Sequence, residues 1–236
     1  IPTADLTKAN TYTGRNLIAA GIYTPTQANG AAAITIGRRA ISNGSMSIAL
    51  GLDANSQGLA SLAVGTNALA AGDVATALGT SSLANGVGAS ALGAGSNAFG
   101  ANSTAISTRS LASGANTMAL GFNASATQAD GVALGRGAAS TGANSYALGT
   151  LAQAKSTQAI AIGNGAVADS NNGGNNAGQA IAIGANAYAH SQDSSATGGN
   201  TAIAIGRNSY AELSGVAIGY GTQASQGGAV AIGYAA

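Results

Sequence analysis

Cysteine and tryptophan are both missing from these 236 residues, and proline, methionine and histidine nearly so, at two, two and one. Without cysteine there is no disulfide framework, thiolate nucleophile or thiolate metal site. With His190 as the single histidine and seven acids scattered from Asp5 to Glu212, little remains for acid–base chemistry, and no paired carboxylates at glycosidase separation can be read from the chain. His190 stands near Asp193, but no second histidine or cysteine completes a ligand set, so the pair reads as part of a solvated loop. No metal, cofactor or catalytic residue is expected, and the chain does not read as an enzyme. Charged residues make up 6% of the chain against roughly 25% in an ordinary globular protein. The 8 basic residues are dispersed, only Arg38 and Arg39 being adjacent, and the net charge is +1, which excludes an electropositive stripe for nucleic acid. Long apolar runs are absent too: Thr66 and Asn67 break the stretch from Gly58 to Gly72, and nowhere do about 18 apolar residues run together as a membrane helix requires. Residues Ile1 to Lys8 lack the basic start and apolar core of a signal peptide, so the chain reads as an internal piece of something longer.

Glycine is plentiful instead, at 37 residues, beside a still larger load of alanine and serine, and hydrophobic residues reach 46%. That is enough apolar surface to fold if it is arranged regularly. One short string recurs: Ile34-Thr35-Ile36-Gly37, Ile48-Ala49-Leu50-Gly51, Leu62-Ala63-Val64-Gly65, and onward at intervals of 14 residues to Gly163, with Ser107 in place of one glycine. Four more copies end at Gly184, Gly206, Gly219 and Gly233 after intervals of 21, 22, 13 and 14, so two spacers lengthen the chain near 169–178 and 190–200. These glycines resemble a phosphate-binding loop only superficially, because no Gly-Lys-Ser/Thr follows and they recur with the repeat.

Within each repeat apolar and small residues alternate with a period of two, which predicts a strand and disfavours helix throughout. Small residues three and five positions after the glycine, such as Ala54 and Ser56, mark a second strand, usually followed by a second glycine such as Gly58. Two strands of about five residues with short turns close a flat, two-sided coil, and fourteen coils at the parallel spacing predict a rod of roughly 65 Å. Gln128 and Ser156 depart from the second glycine position, as Ser107 does from the first. Residues 1–31 do not fit the period and read as an atypical N-terminal cap, with the repeats over 32–236. Two parities are open. Either the alanines of the first strand face inward and columns of Ile, Leu and Val are left outside, needing another copy to cover them, or the bulky pair faces inward in a self-sufficient monomer.

The strings Asn144-Ser-Tyr-Ala-Leu-Gly149 and Ala159-Ile-Ala-Ile-Gly163 resemble the head repeats of the YadA-like trimeric autotransporter adhesins of Gram-negative bacteria, over about residues 32–236. The resemblance implies a left-handed parallel β-roll assembled as a homotrimer with two further copies of itself. It also implies display at the bacterial cell surface from an outer-membrane anchor, with the family's neck, stalk and anchor expected beyond Ala236. The implied function is adhesion to host extracellular-matrix proteins, cells or abiotic surfaces by multivalent contact. An ice-binding rod or a purely structural spacer is the alternative, although equivalent second-strand positions such as Arg39, Asp53, Asn67 and Ser81 form no threonine ladder. Outward positions of the second strand should lie two, four and six residues after each repeat glycine. They nominate Arg39, Ile41, Leu69, Leu83, Phe99, Arg109 and Leu111 as ligand-binding candidates, a stripe that gives way to Ser125, Ala139 and Gln153.

Overall fold

The computed structural model describes residues 16–18, 26–170, 179–190 and 201–236, in two compact units, Ile1–Ser110 and Leu111–Ala236. Asp193, the two prolines, Tyr12, Tyr23 and the greater part of both spacers lie outside the described residues. Each unit is an all-β parallel solenoid with coils of about 14 residues.

In the N-terminal unit one parallel sheet takes the first strand of every coil, among them Ile34–Ile36, Ile48–Leu50, Leu62–Val64 and Thr76–Leu78. The other sheet takes the second strand, as in Ile41–Ser42, Asn55–Ser56 and Leu69–Ala70. Register follows the repeat: Ala49 faces Ala63 and Ala63 faces Ala77. Strands are shorter than the alternation predicts, three and two residues rather than about five, because the corners take the difference. Two strands fall within residues 1–31: Asn16–Ile18 pairs with Ile34–Ile36, and Gln27–Ala28 with Ile41–Ser42. Parallel stacking therefore reaches into the segment that the repeat count leaves out.

The C-terminal unit repeats the arrangement, and its register absorbs the lengthened intervals. Ile160 pairs with Ile181 and Ile181 with Ile203, just as Val167 pairs with Tyr188 and Tyr188 with Tyr210. The added residues enter between the second strand of one coil and the first strand of the next.

Of the two parities, the chain takes the outward one. Ala49, Ala63 and Ala77 are fully buried, together with residues three, five and ten positions after the repeat glycine, as Ala54, Ser56 and Ser61 are after Gly51. Nothing larger than threonine (Thr35, Thr117, Thr222) is fully buried among the described residues, so the two sheets sit close over a thin interior. Inward hydroxyls such as that of Ser61 find partners within the coil: Ser61 Oγ donates to the Gly58 carbonyl at 2.7 Å and shares a 2.6 Å bond with Ser56 Oγ, whereas the buried Ser103 Oγ has no hydrogen-bond partner. Such pairing offsets the cost of burying a polar group.

The repeat glycine is fixed by its backbone. At Gly51, φ is 134° and a Cβ would lie 2.7 Å from the Gly65 carbonyl oxygen of the next coil, so a side chain meets both torsional strain and collision. Ser107 compromises at φ 101°. At the second glycine position φ is not left-handed, and Gln128 and Ser156 are accommodated there; Ser156 Oγ accepts the Ser170 N–H at 3.2 Å.

Candidate functional site

With the small residues inside, every large side chain among the described residues is at least partly on the surface, and the outward columns become the candidate surfaces. On the first sheet each coil presents two residues flanking the buried alanine. Ile48 and Leu50 are half-buried by their neighbours above and below, while Leu78 and Leu134 remain 44% and 42% exposed. Parallel register stacks like on like, as in Ile162 beside Ile183 beside Ile205, so the face is nearly continuous hydrocarbon in the C-terminal unit. In the N-terminal unit the second of its two columns stays aliphatic, whereas the first turns to Thr76, Ser90 and Thr104.

On the second sheet the candidates are brought together only in part. Leu69 and Leu83 are register partners and half-buried, but Asn55 separates Leu69 from Ile41, and Asn97 follows Leu83. Phe99 is exposed one residue beyond the strand Asn97–Ala98. Leu111, also half-buried, belongs to the C-terminal unit, where Ser125 follows it in register. Arg39 and Arg109 are exposed on corners rather than on the sheet, both left-handed at φ 58° and 59°. Arg39 forms an ion pair with Asp53 one coil on, and the hydrogen bond between them holds the Asp53 carboxyl below its ordinary range and raises the guanidinium. That pair occupies the charge of Arg39 locally.

Two surfaces escape a reading based on the early coils. In the C-terminal unit the second-sheet column continues past Gln153 through Val167 to Tyr188 and Tyr210, whose rings stack at 5.5 Å with planes 4° apart. Beside them Lys155 holds Asp169 at 3.2 Å, and His190 and Glu212 follow in register, with Tyr188 Oη 3.4 Å from His190 Nδ1. Burial, then the charge of Asp169, raises the Tyr188 phenol; burial, then Glu212, raises that of Tyr210. A further stack, Tyr220 on Tyr234 at 5.2 Å with Arg207 over the Tyr220 ring, lies on the glycine corner. The signal was available: counting four residues past Gly184 and Gly206, across the spacers, lands on Tyr188 and Tyr210. The second surface is an apolar corner of the N-terminal unit, at Met46, Leu59, Val74 and Val87.

Among the described residues no group of three or more His, Asp or Glu is arranged to hold a metal ion, and no helix is long and apolar enough to cross a membrane. A solenoid with a small-residue interior, hydrocarbon on one outer face and varied residues on the other belongs to the class of repetitive parallel β-solenoids. More particularly, the family model described as YadA head domain repeat (2 copies) matches residues 56–82, 84–106, 112–138, 140–166, 176–201 and 213–236, and the chain belongs to the YadA head family. No curated protein matches the chain. YadA-like heads are trimeric adhesins in general, and neither the family nor the solenoid fold is enzymatic in general.

Proposed function

We propose that this chain is the head of a bacterial surface adhesin, a left-handed β-roll that trimerises through the outer face of its first sheet and binds multivalently through the outer face of its second. The observation that carries this reading is the run of bulky aliphatic side chains left partly exposed on the first sheet, while the interior holds nothing larger than threonine among the described residues. Such a face exceeds the few hundred Å² of contiguous apolar surface that a soluble monomer ordinarily carries. Covering it with two further copies removes it from water and leaves the second sheet outside. Membership of the family supports display from the outer membrane, and the targets would be host matrix proteins, cells or solid surfaces.

The proposed contact residues are Arg39, Ile41, Leu69, Leu83, Phe99, Arg109 and Leu111, with threefold symmetry multiplying weak sites by avidity. The test is light scattering after size exclusion, followed by binding of the trimer to a panel of matrix proteins, cells and plain surfaces. A homotrimer that binds at least one class of target supports the proposal. A stable monomer at every concentration, unaffected by a C-terminal trimeric clamp, overturns it. A folded trimer that binds nothing on the panel reduces the chain to a passive spacer.

A further inference from the structure

The two outward columns of the first sheet part company in the N-terminal unit. One of them runs Ile34, Ile48 and Leu62, and its next three coils then present Thr76, Ser90 and Thr104, all half-buried. The column beside it stays aliphatic through the same three coils, with Leu78, Leu92 and Ile106. Coils that simply faced water would be free to turn polar in both columns, yet only one does. Strand propensity accounts for threonine at 76 and 104 but not for serine at 90.

The three hydroxyls are also unpaired within the chain. The inward hydroxyls of the same coils, on Ser82, Ser96 and Ser110, donate to the carbonyls of Gly79, Gly93 and Ser107 at 2.9, 2.8 and 2.9 Å. Those of Thr76, Ser90 and Thr104 form no hydrogen bond to a described residue. Under a covering neighbour, a hydroxyl set against an aliphatic side chain gives up water and gains nothing, whereas one set against another hydroxyl recovers a hydrogen bond.

The remainder of the face carries no comparable mark. Ile160, Ile181, Ile203 and Val216 follow one another in register in the C-terminal unit, so a copy displaced by one coil, about 4.8 Å, would meet nearly the same hydrocarbon there. The hydroxyls are less forgiving. Displacement by one coil sets Thr76 of one copy against Leu62 of another, and displacement by three sets the whole block against Ile34, Ile48 and Leu62. We propose that Thr76, Ser90 and Thr104 are the alignment mark of the assembly, matching hydroxyl to hydroxyl with further copies of this chain and so fixing the level at which the copies associate. The mark weakens association in exchange for a single alignment, as a lone asparagine does in a coiled-coil seam. It rests on the reading of the first sheet as the face shared by copies.

The test is co-refolding of isotopically distinguished chains, with the composition of the trimers read by native mass spectrometry. One variant relocates the mark by three coils: Ile34→Thr/Ile48→Ser/Leu62→Thr/Thr76→Ile/Ser90→Ile/Thr104→Ile. Refolded with an equal amount of the parent it should sort, leaving less than about one trimer in ten mixed, where indifferent pairing gives about three in four. A second variant, Thr76→Ile/Ser90→Ile/Thr104→Ile, guards against misfolding because it uses only a residue already present in that column. It should assemble at an at least about tenfold lower concentration than the parent, with unchanged circular dichroism. Free mixing of parent and relocated chains, or assembly of the second variant no tighter than the parent, would overturn the proposal while leaving the trimer in place. Light scattering of the parent reports separately on the shared face: a monomer at every concentration overturns that reading and the mark with it.

Discussion

The outer faces of the two sheets share one backbone, one coil and one interior, and they differ in what a column of side chains does from coil to coil. In the second column of the first sheet Ile, Leu and Val recur with little change, as in Leu50, Val64 and Leu78, although the first column turns to Thr76, Ser90 and Thr104. On the second sheet the same kind of column passes from Ile41 to Asn55 to Leu69, and later from Gln153 to Val167 to Tyr188. A face packed against a fixed neighbour must keep its shape along the whole length, whereas one that meets solvent or an irregular target is free to vary. The interior distinguishes neither, because it is alanine and serine behind both.

The largest effect should come from the shared interior. Ala133→Leu inserts three carbons between sheets that leave room for none and should cost at least about 3 kcal/mol, with a large drop in the thermal melt of its unit. If it melts like the parent, the interior is looser than its small residues imply. Next is the first face: Leu92→Asp should abolish a trimer, and the neutral truncation Leu92→Ala should cost about 2–5 kcal/mol per chain in the assembly. Equal melting of Leu92→Ala and the parent would erase the contrast between the faces.

On the second face, Leu69→Ser, Leu83→Ser and Leu111→Ser together should leave the fold and assembly intact while lowering target binding measurably in a surface-capture assay. Loss of folding would show that these half-buried leucines support the sheet and would bring the two faces together. Asn67→Asp, on an exposed left-handed corner, should shift stability by no more than about 0.5 kcal/mol in a denaturant melt. The smallest effect is confined to alkali. Tyr188 and Tyr210 have phenols raised by burial and nearby carboxylates, so folding favours their neutral form. Stability should be level below the unfolded value of about 10 and should decline as pH rises through the folded values. Tyr188→Phe with Tyr210→Phe should flatten that decline in melts taken between neutral and strongly alkaline pH.

Much of this was legible in the sequence because a solenoid writes its geometry as a period. The interval between Gly37 and Gly51 sets the coil, and alternation sets the strands. The glycine, where φ of about 134° and the adjacent carbonyl disfavour a side chain, marks this corner in all but the coil of Ser107. Parity was the step that alternation could not decide, since both choices give the same pattern, and the volume available between two closely stacked sheets settles it in favour of alanine. Strand length was overestimated because alternation continues through corner residues such as Ala54 that are inward without being paired in a strand. Tyr188 and Tyr210 were concealed by the spacers, which break the visual period but not the pairing register. The apolar corner at Met46 and Val74 was concealed for another reason: a left-handed corner is expected to hold asparagine or glycine, so an apolar residue there carries no periodic signal.

The sameness of the interior also has a bearing on how the chain finds its alignment. If a coil paired one repeat out of place, Ala49 would meet another alanine and the inward contacts would be almost unchanged, so burial gives little penalty for slippage. Outward neighbours supply the discrimination. Arg39 finds Asp53, Lys155 finds Asp169, Tyr188 stacks on Tyr210 and Arg207 covers Tyr220 in one alignment only. Each is a weak contact in the finished structure, yet together they act as addresses that tell otherwise interchangeable coils apart while the chain winds.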